Sequence, residues 1–264
     1  MNSTAIVALM FGGLLLLEFF RGRLKKMTAT VDDRVVEIVS TLSVPLLVVP
    51  TIVFVTYALM GWLVPDWRGT WGHLPVWAMV LILLIGDDMT QYWWHRLSHS
   101  VPFLFNFHRA HHEPRYISVR VAYRNSLLYF IFMPTIWISA ILIYFGFGAV
   151  FVVYSLVKAL VIFGAHCAVP WDAFLYRHRF LSPIAWVVER TISTPSTHYA
   201  HHGMDAADGV SNYNGNYGNL LFFWDVLFGT ARITRRYPAE FGIAGDRRAT
   251  FMRQLFFPLF RSWK

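Results

Sequence analysis

Eleven histidines stand in this sequence of 264 residues, and nine of them fall in four places. His95 and His99 form H-x-x-x-H. His108, His111 and His112 form H-x-x-H-H, and His198, His201 and His202 repeat that pattern. His166 closes an apolar run. Residues three and four apart share a helix face, so each cluster presents its imidazoles on one side of one helix. An isolated pair at this spacing is commonly a surface coincidence. Two triads and a pair in a chain this apolar read as metal ligands. Neutral imidazole suits iron, copper, zinc or nickel, and nine ligands exceed the roughly four to six that one ion takes, so they suit two. His73 and His178 lie outside the pattern. His178 is read as a residue of the polar cap in preference to an extra ligand.

Other metal chemistries fit less well. H-E-x-x-H is absent, since His112-Glu113 runs on into Pro-Arg-Tyr, so no zincin-type protease is indicated. Glu-x-x-His does not occur, which argues against a carboxylate-rich di-iron bundle. Haem needs one or two axial histidines, not triads. A His-rich transmembrane metal transporter is the competing class. It needs ligands along the bilayer midplane, whereas these gather where apolar runs end.

The elements that position the histidines follow from composition. Hydrophobic residues make up 56% and charged residues 14%, too apolar a balance for a soluble globule. Cys167 is the only cysteine, which excludes a disulfide scaffold. The formal charge of +8 in such a chain reflects basic loops beside anionic headgroups, not a nucleic-acid surface. A bilayer core takes about 20 apolar residues as helix. Ala5–Phe20 is a first run. Val35–Val64, containing Pro45 and Pro50, predicts one kinked helix or two short re-entrant pieces. Leu74–Trp94 is a third run. Leu127–Phe145 and Gly148–His166, separated by Gly146 and Phe147, predict a membrane hairpin. Arg21, Arg23, Lys25, Lys26 and Arg34 lie between the first two runs. Arg96, Arg109, Arg115, Arg120 and Arg124 lie between the third and fourth, and the opposite loops hold Arg68. The positive-inside rule then puts the N-terminus outside and the histidines in the cytoplasm, at a bacterial inner membrane or the endoplasmic reticulum. The expected fold is all-α: a multi-pass transmembrane helical bundle with a cytosolic His-rich helical cap. Residues 1–74 form an N-terminal membrane region, 75–230 a catalytic domain and 231–264 a basic tail.

Asp88, Tyr92, His95 and His99 fall on one helix stripe. Asp88 is about two turns from His95, roughly 10 Å, so it meets a histidine of another helix, or Tyr92, as a carboxylate that orients ligands and offsets metal charge. The alternative is a tie to a basic residue or a backbone amide. Lys158 sits mid-span, where a charge is a functional candidate; pairing with Asp87 is the favoured reading. Asn212, Asn214 and Asn216 are either ligand-orienting groups or turn residues. Asp225 is equally a local anchor or a catalytic group.

The chain resembles the fatty acid hydroxylase / sterol desaturase superfamily of membrane di-iron enzymes over roughly Asp88–Thr230. The resemblance rests on D-x-x-x-Y-W-W-H-R-L-S-H (Asp88–His99), H-R-A-H-H (His108–His112), H-C-A-V-P-W (His166–Trp171), H-Y-A-H-H (His198–His202) and N-Y-G-N-L-L-F-F-W-D-V-L-F-G-T (Asn216–Thr230). It implies O₂-dependent hydroxylation or desaturation of a lipid or sterol taken from the bilayer. It also implies two iron ions, replaceable by zinc in purified protein, held by the nine clustered histidines. The electrons would come from a separate cytochrome b5-, ferredoxin- or rubredoxin-like protein. A metal-binding membrane protein without oxygenase activity is the remaining alternative.

Overall fold

A computed structural model of the chain describes residues 3–245 and 248–260. Residues 1–2, 246–247 and 261–264 of the expected terminal regions lie outside the described residues. Among the described residues the regular structure is entirely helical, with no β-strand. Three helical stretches are long and apolar enough to cross a membrane, Ser3–Phe20, Val31–Leu63 and Pro134–His166, the last of them broken at Gly146 into two arms. The protein is an integral membrane protein. Phe54, Trp62, Trp77 and Val153 point outward, a belt that suits lipid and would be a liability in water.

Helix α1 (Ser3–Phe20) is apolar from Ala5 onward except Glu18. That carboxylate is fully buried and accepts from Val119 N (2.8 Å), Ala168 N (2.8 Å) and Ser118 Oγ (2.6 Å). It ties α1 to two loops that flank cage histidines. Helix α2 (Val31–Leu63) begins in a capping box: Thr30 Oγ1 accepts from Asp33 N, and the Asp33 carboxylate accepts from Thr30 N. The prolines do not break it into re-entrant pieces. Pro45 lacks an N–H, and the turn over Val44–Val48 widens to π-type, with Val49 N–H bonding to Val44 O. One continuous helix results.

Helix α3 runs through Val76–Leu83, a widened turn at Leu84–Met89, and Thr90–Ser100. Its first half is apolar. The second half, reading on through Gln91 and His95, carries polar residues inward to the cage. Helix α4 is Pro102–His112. The run expected over Leu127–Phe145 splits into α5 (Leu127–Phe132) and α6 (Pro134–Leu142), because Met133 precedes a proline and is extended (φ −68, ψ 111). Helix α7 is Gly148–His166. The chain reverses between α6 and α7 at Gly146, whose φ of 117° favours glycine. A Cβ there would also meet Gly72 N at 2.7 Å. Gly69 N and Trp71 N bond to Tyr144 O and Phe145 O at this end. The predicted hairpin therefore forms, and both of its outer ends lie at the histidines.

The cap comprises α8 (Ala173–Arg177), α9 (Ser182–Thr191), α10 (Pro195–His202), α11 (Phe223–Leu227) and α12 (Phe251–Phe256). Every residue of α10 is buried, and a Thr194–Thr197 capping box starts it. Helix α12 packs back on α2, α4 and α5, so the described part of the C-terminal segment is integrated into the fold.

Candidate metal centre

The nine patterned histidines converge. His95, His99, His108, His112 and His201 form one group, and His111, His166, His198 and His202 another. Within each group one ligand nitrogen per ring lies within 4.8 Å of the others. Helices α3, α4, α7 and α10 supply them. His73 is exposed on the loop at the opposite end, and His178 meets Phe174 edge-on and Phe180 at a tilt, outside both groups.

The ring orientations are set from behind. His95 Nδ1 lies 2.7 Å from Tyr217 O, His201 Nδ1 2.8 Å from Gly215 O and His166 Nδ1 2.8 Å from Ile162 O. His111 Nδ1 lies 3.1 Å from both Val121 O and Arg124 O. A carbonyl only accepts, so each of these Nδ1 atoms donates. The proton is thereby placed on Nδ1, and each neutral ring presents a bare Nε2 lone pair to the interior. Yet His95 and His201 bring their Nε2 atoms to 3.0 Å, and His111 and His166 bring theirs to 3.4 Å. Facing lone pairs at that distance repel. A cation held between them would remove the conflict, since each lone pair would then be donated to it. The donor set thus fits a transition metal in each group.

Electrostatics agree. Burial first, and neighbouring imidazoles second, hold His108, His111, His112, His198, His201 and His202 well below the usual histidine range. The neutral ring is the ligating form.

Asp88 takes Leu220 N (3.2 Å), Leu221 N (3.0 Å) and Trp224 Nε1 (2.8 Å), not a histidine ring. Its reach to the cage is through the segment that presents the Gly215 and Tyr217 carbonyls. Asp225 anchors the same segment, accepting from Tyr217 N, Gly218 N and Thr230 Oγ1 at 2.8, 2.6 and 2.6 Å. Burial raises its carboxyl to about 6. Asn216 bonds to Thr197 O and Arg232 O and is a turn residue with φ 57°. Lys158 pairs with Asp87.

Sequence reasoning missed Asn125. Its Oδ1 accepts from His108 Nδ1 at 2.8 Å, the one cage contact of this kind made by a side chain among those described above. Nothing in its neighbourhood in the sequence signals this. Asn125→Leu is expected to weaken metal retention roughly 10–100-fold, measured as metal per protein after dialysis against graded chelator. Retention equal to the parent's would mean His108 needs no such partner.

Buried neutral imidazoles converging from four helices at one end of a membrane bundle define a membrane histidine-cage protein able to hold metal. The chain belongs to the fatty acid hydroxylase family, whose model matches residues 79–230, more than half of its length. It is 30% identical to the alkylglycerol monooxygenase of Danio rerio over 149 residues, 56% of this chain and 29% of that protein. Identity to the Homo sapiens alkylglycerol monooxygenase is 30% over 146 residues, 55% of this chain and 29% of that protein. Identity to the ornithine lipid hydroxylase OlsE of Rhizobium tropici is 29% over 196 residues, 74% of this chain and 54% of that protein. The chain thus spans under a third of the alkylglycerol monooxygenases it matches and about half of the ornithine lipid hydroxylase. No solved structure matches it.

Proposed function

We propose that the protein is an O₂-dependent lipid hydroxylase, with residues 75–230 as its catalytic region and the nine clustered histidines as ligands to two iron ions. One observation carries this reading. A cavity of about 280 Å³ lies between membrane helices α6 and α7 and ends on His95, His108, His111 and His166, two rings from each group. Val49, Val53, Ile136, Phe151 and Phe163 line it, a wall suited to an acyl chain. The names of the relatives, lipid hydroxylase and monooxygenase, point to the same chemistry.

When bound, the metal pair supplies the activation of O₂ that side chains cannot. The chain's own part is to hold the substrate carbon at the rings, keep the rings neutral and aimed, and exclude water by burial. Overall, a C–H bond becomes C–OH, the second oxygen leaves as water, and two electrons and two protons are consumed. A separate small redox protein delivers the electrons; an acidic one would complement the basic face. Turnover under ¹⁸O₂ is the test. Labelled alcohol is expected. Unlabelled alkene would replace hydroxylation by desaturation, and no O₂ uptake with any lipid and a competent reductant would defeat the reading.

The orientation we propose puts the cage in the cytoplasm. Arg21, Arg23, Lys25, Lys26 and Arg115 lie at the cage end, and Arg68 lies on the far loop. In a Cys167→Ala background, a cysteine near Arg68 should label from outside intact cells and one near Arg235 should not. The reverse pattern would invert the orientation.

A further inference from the structure

Inside the membrane the cavity carries a polar group of side chains that the metal chemistry does not use. Asp87, on the widened turn of α3, accepts from Ser139 Oγ (3.1 Å) on α6 and from Tyr154 OH (2.6 Å) on α7, and is paired with Lys158 Nζ on α7. All four side chains line the cavity. From here, Asp87, Gln91 and His95 follow at every fourth residue on one face of α3, and all three line it too. The cavity is therefore a polar rail facing an apolar wall.

We propose that Asp87, Lys158, Tyr154 and Ser139 form a subsite that takes a neutral oxygen function of the substrate lipid: a hydroxyl, ether or ester oxygen. The occupant's role as substrate rests on the lipid-hydroxylase reading; the subsite itself does not. A buried ion pair is a costly means of joining helices, because apolar packing does so without desolvating charge. This pair is not packed away: the Lys158 side chain keeps 12% of its surface and borders the cavity. Ser139 and Tyr154 spend their protons on Asp87 and keep acceptor lone pairs. Lys158 has three N–H donors, and Asp87 does not use them all. The second carboxylate nearby, Asp88, is 4.0 Å from Lys158 and already takes three N–H donors. The unused capacity is a donor beside acceptors. The Asp87–Lys158 pair is neutral in sum and the Asp88 carboxylate is solvated by its three N–H donors, so an anionic or cationic ligand would bring a further, unsolvated charge into the membrane. A plain hydrocarbon would leave the rail without partners. A neutral oxygen meets both conditions.

The helices also set a distance. Asp87 precedes His95 by eight residues on α3, and Lys158 precedes His166 by eight on α7. At 1.5 Å per residue both walls place the subsite about 12 Å from the cage. The substrate's oxygen and the carbon presented to the cage are then about that far apart.

Binding of radiolabelled 1-hexadecanol and n-hexadecane to the 264-residue chain in lipid nanodiscs tests this. The parent protein should bind the alcohol about tenfold more tightly than the alkane. In the doubly neutralised Asp87→Asn/Lys158→Met variant the preference should fall below about threefold, with alkane affinity unchanged. Tyr154→Phe removes one oxygen and no charge, and should narrow the preference by about threefold; it decides the matter if the double variant fails to fold. Equal binding of the two probes by the parent protein, a preference that survives the substitutions, or an equal loss for both probes would overturn the assignment. The readout is binding, so failure to oxidise any lipid would remove the hydroxylase reading and leave this inference to be judged separately.

Discussion

Replacing His201 by alanine is expected to abolish turnover and to deplete the five-ring group of metal, while the chain still inserts in the membrane. His201 sits at the centre of that group. Its Nε2 is 3.0 Å from that of His95, its ring packs against those of His99 and His112, and its Nδ1 is fixed by Gly215 O. His95 and His108 of the same group cannot swing into its place, because their Nδ1 atoms are tied to Tyr217 O and Asn125 Oδ1. His111→Ala should do the same to the four-ring group. Its Nδ1 is held by two carbonyls, and its ring lies 4.5 Å from that of His202. His73→Ala should leave activity unchanged, since His73 is exposed at the opposite end. Metal analysis of purified variants, alongside O₂-dependent turnover, provides the check. Loss of activity in His73→Ala with a fully active His201→Ala would overturn the assignment of the cage.

The largest stability effect is expected at Arg124. Its side chain is 0% exposed and meets Asp33 Oδ1 at 2.8 Å. It also donates to Ala110 O (2.6 Å) and Gln254 Oε1 (2.6 Å). One guanidinium thus joins α2, α4 and α12. Arg124→Met keeps most of the volume and removes every donor, leaving Asp33 with Thr30 and the partly exposed Arg248. Breaking one side of a buried pair costs about 3–5 kcal/mol, which for a chain of this size lowers the unfolding temperature by roughly 10 °C. Thermal unfolding in detergent measures it, and Asp33→Asn added to Arg124→Met should recover part of the loss. A drop of only a degree or so would show that packing, not the charge, joins these helices. The same variant should weaken metal binding, because the Arg124 carbonyl is one of the two that hold His111.

The gathering of the nine histidines and the apolar helices are legible in the sequence because both depend on periodicity. An imidazole must be a histidine, a helix face recurs every three or four residues, and a span is a long apolar run. The cage assembled from His95 to His202 follows from those two rules. What stands behind the rings was not readable. Four of the rings are aimed by backbone carbonyls, those of Tyr217, Gly215, Ile162, Val121 and Arg124, and a carbonyl carries no residue-type signature. Asp88 shows the same limit. Its stripe with His95 was visible, and so was the distance that keeps the two apart. Its partners at 220–224 lie more than a hundred residues away in sequence, with no pattern to point to them. Pro45 and Pro50 predict a kinked helix or two re-entrant pieces; the π-type turn that absorbs Pro45 depends on neighbours that a linear sequence does not show. Likewise, Asp87 and Asp88 point in different directions on an ideal helix, yet both are buried because the widened turn carries them.

The cavity between α6 and α7 lies among membrane-spanning helices. A ligand that reaches it from the bilayer meets the protein in two dimensions. The quantity that governs its occupancy is then the mole fraction of lipid in the leaflet, not molarity in the surrounding buffer. Adding inert phospholipid or detergent dilutes the ligand as surely as adding solvent dilutes a soluble one. Saturation curves for this protein therefore acquire a fixed meaning only when plotted against surface composition, and two preparations with the same bulk lipid concentration but different amounts of carrier membrane would be working at different substrate levels.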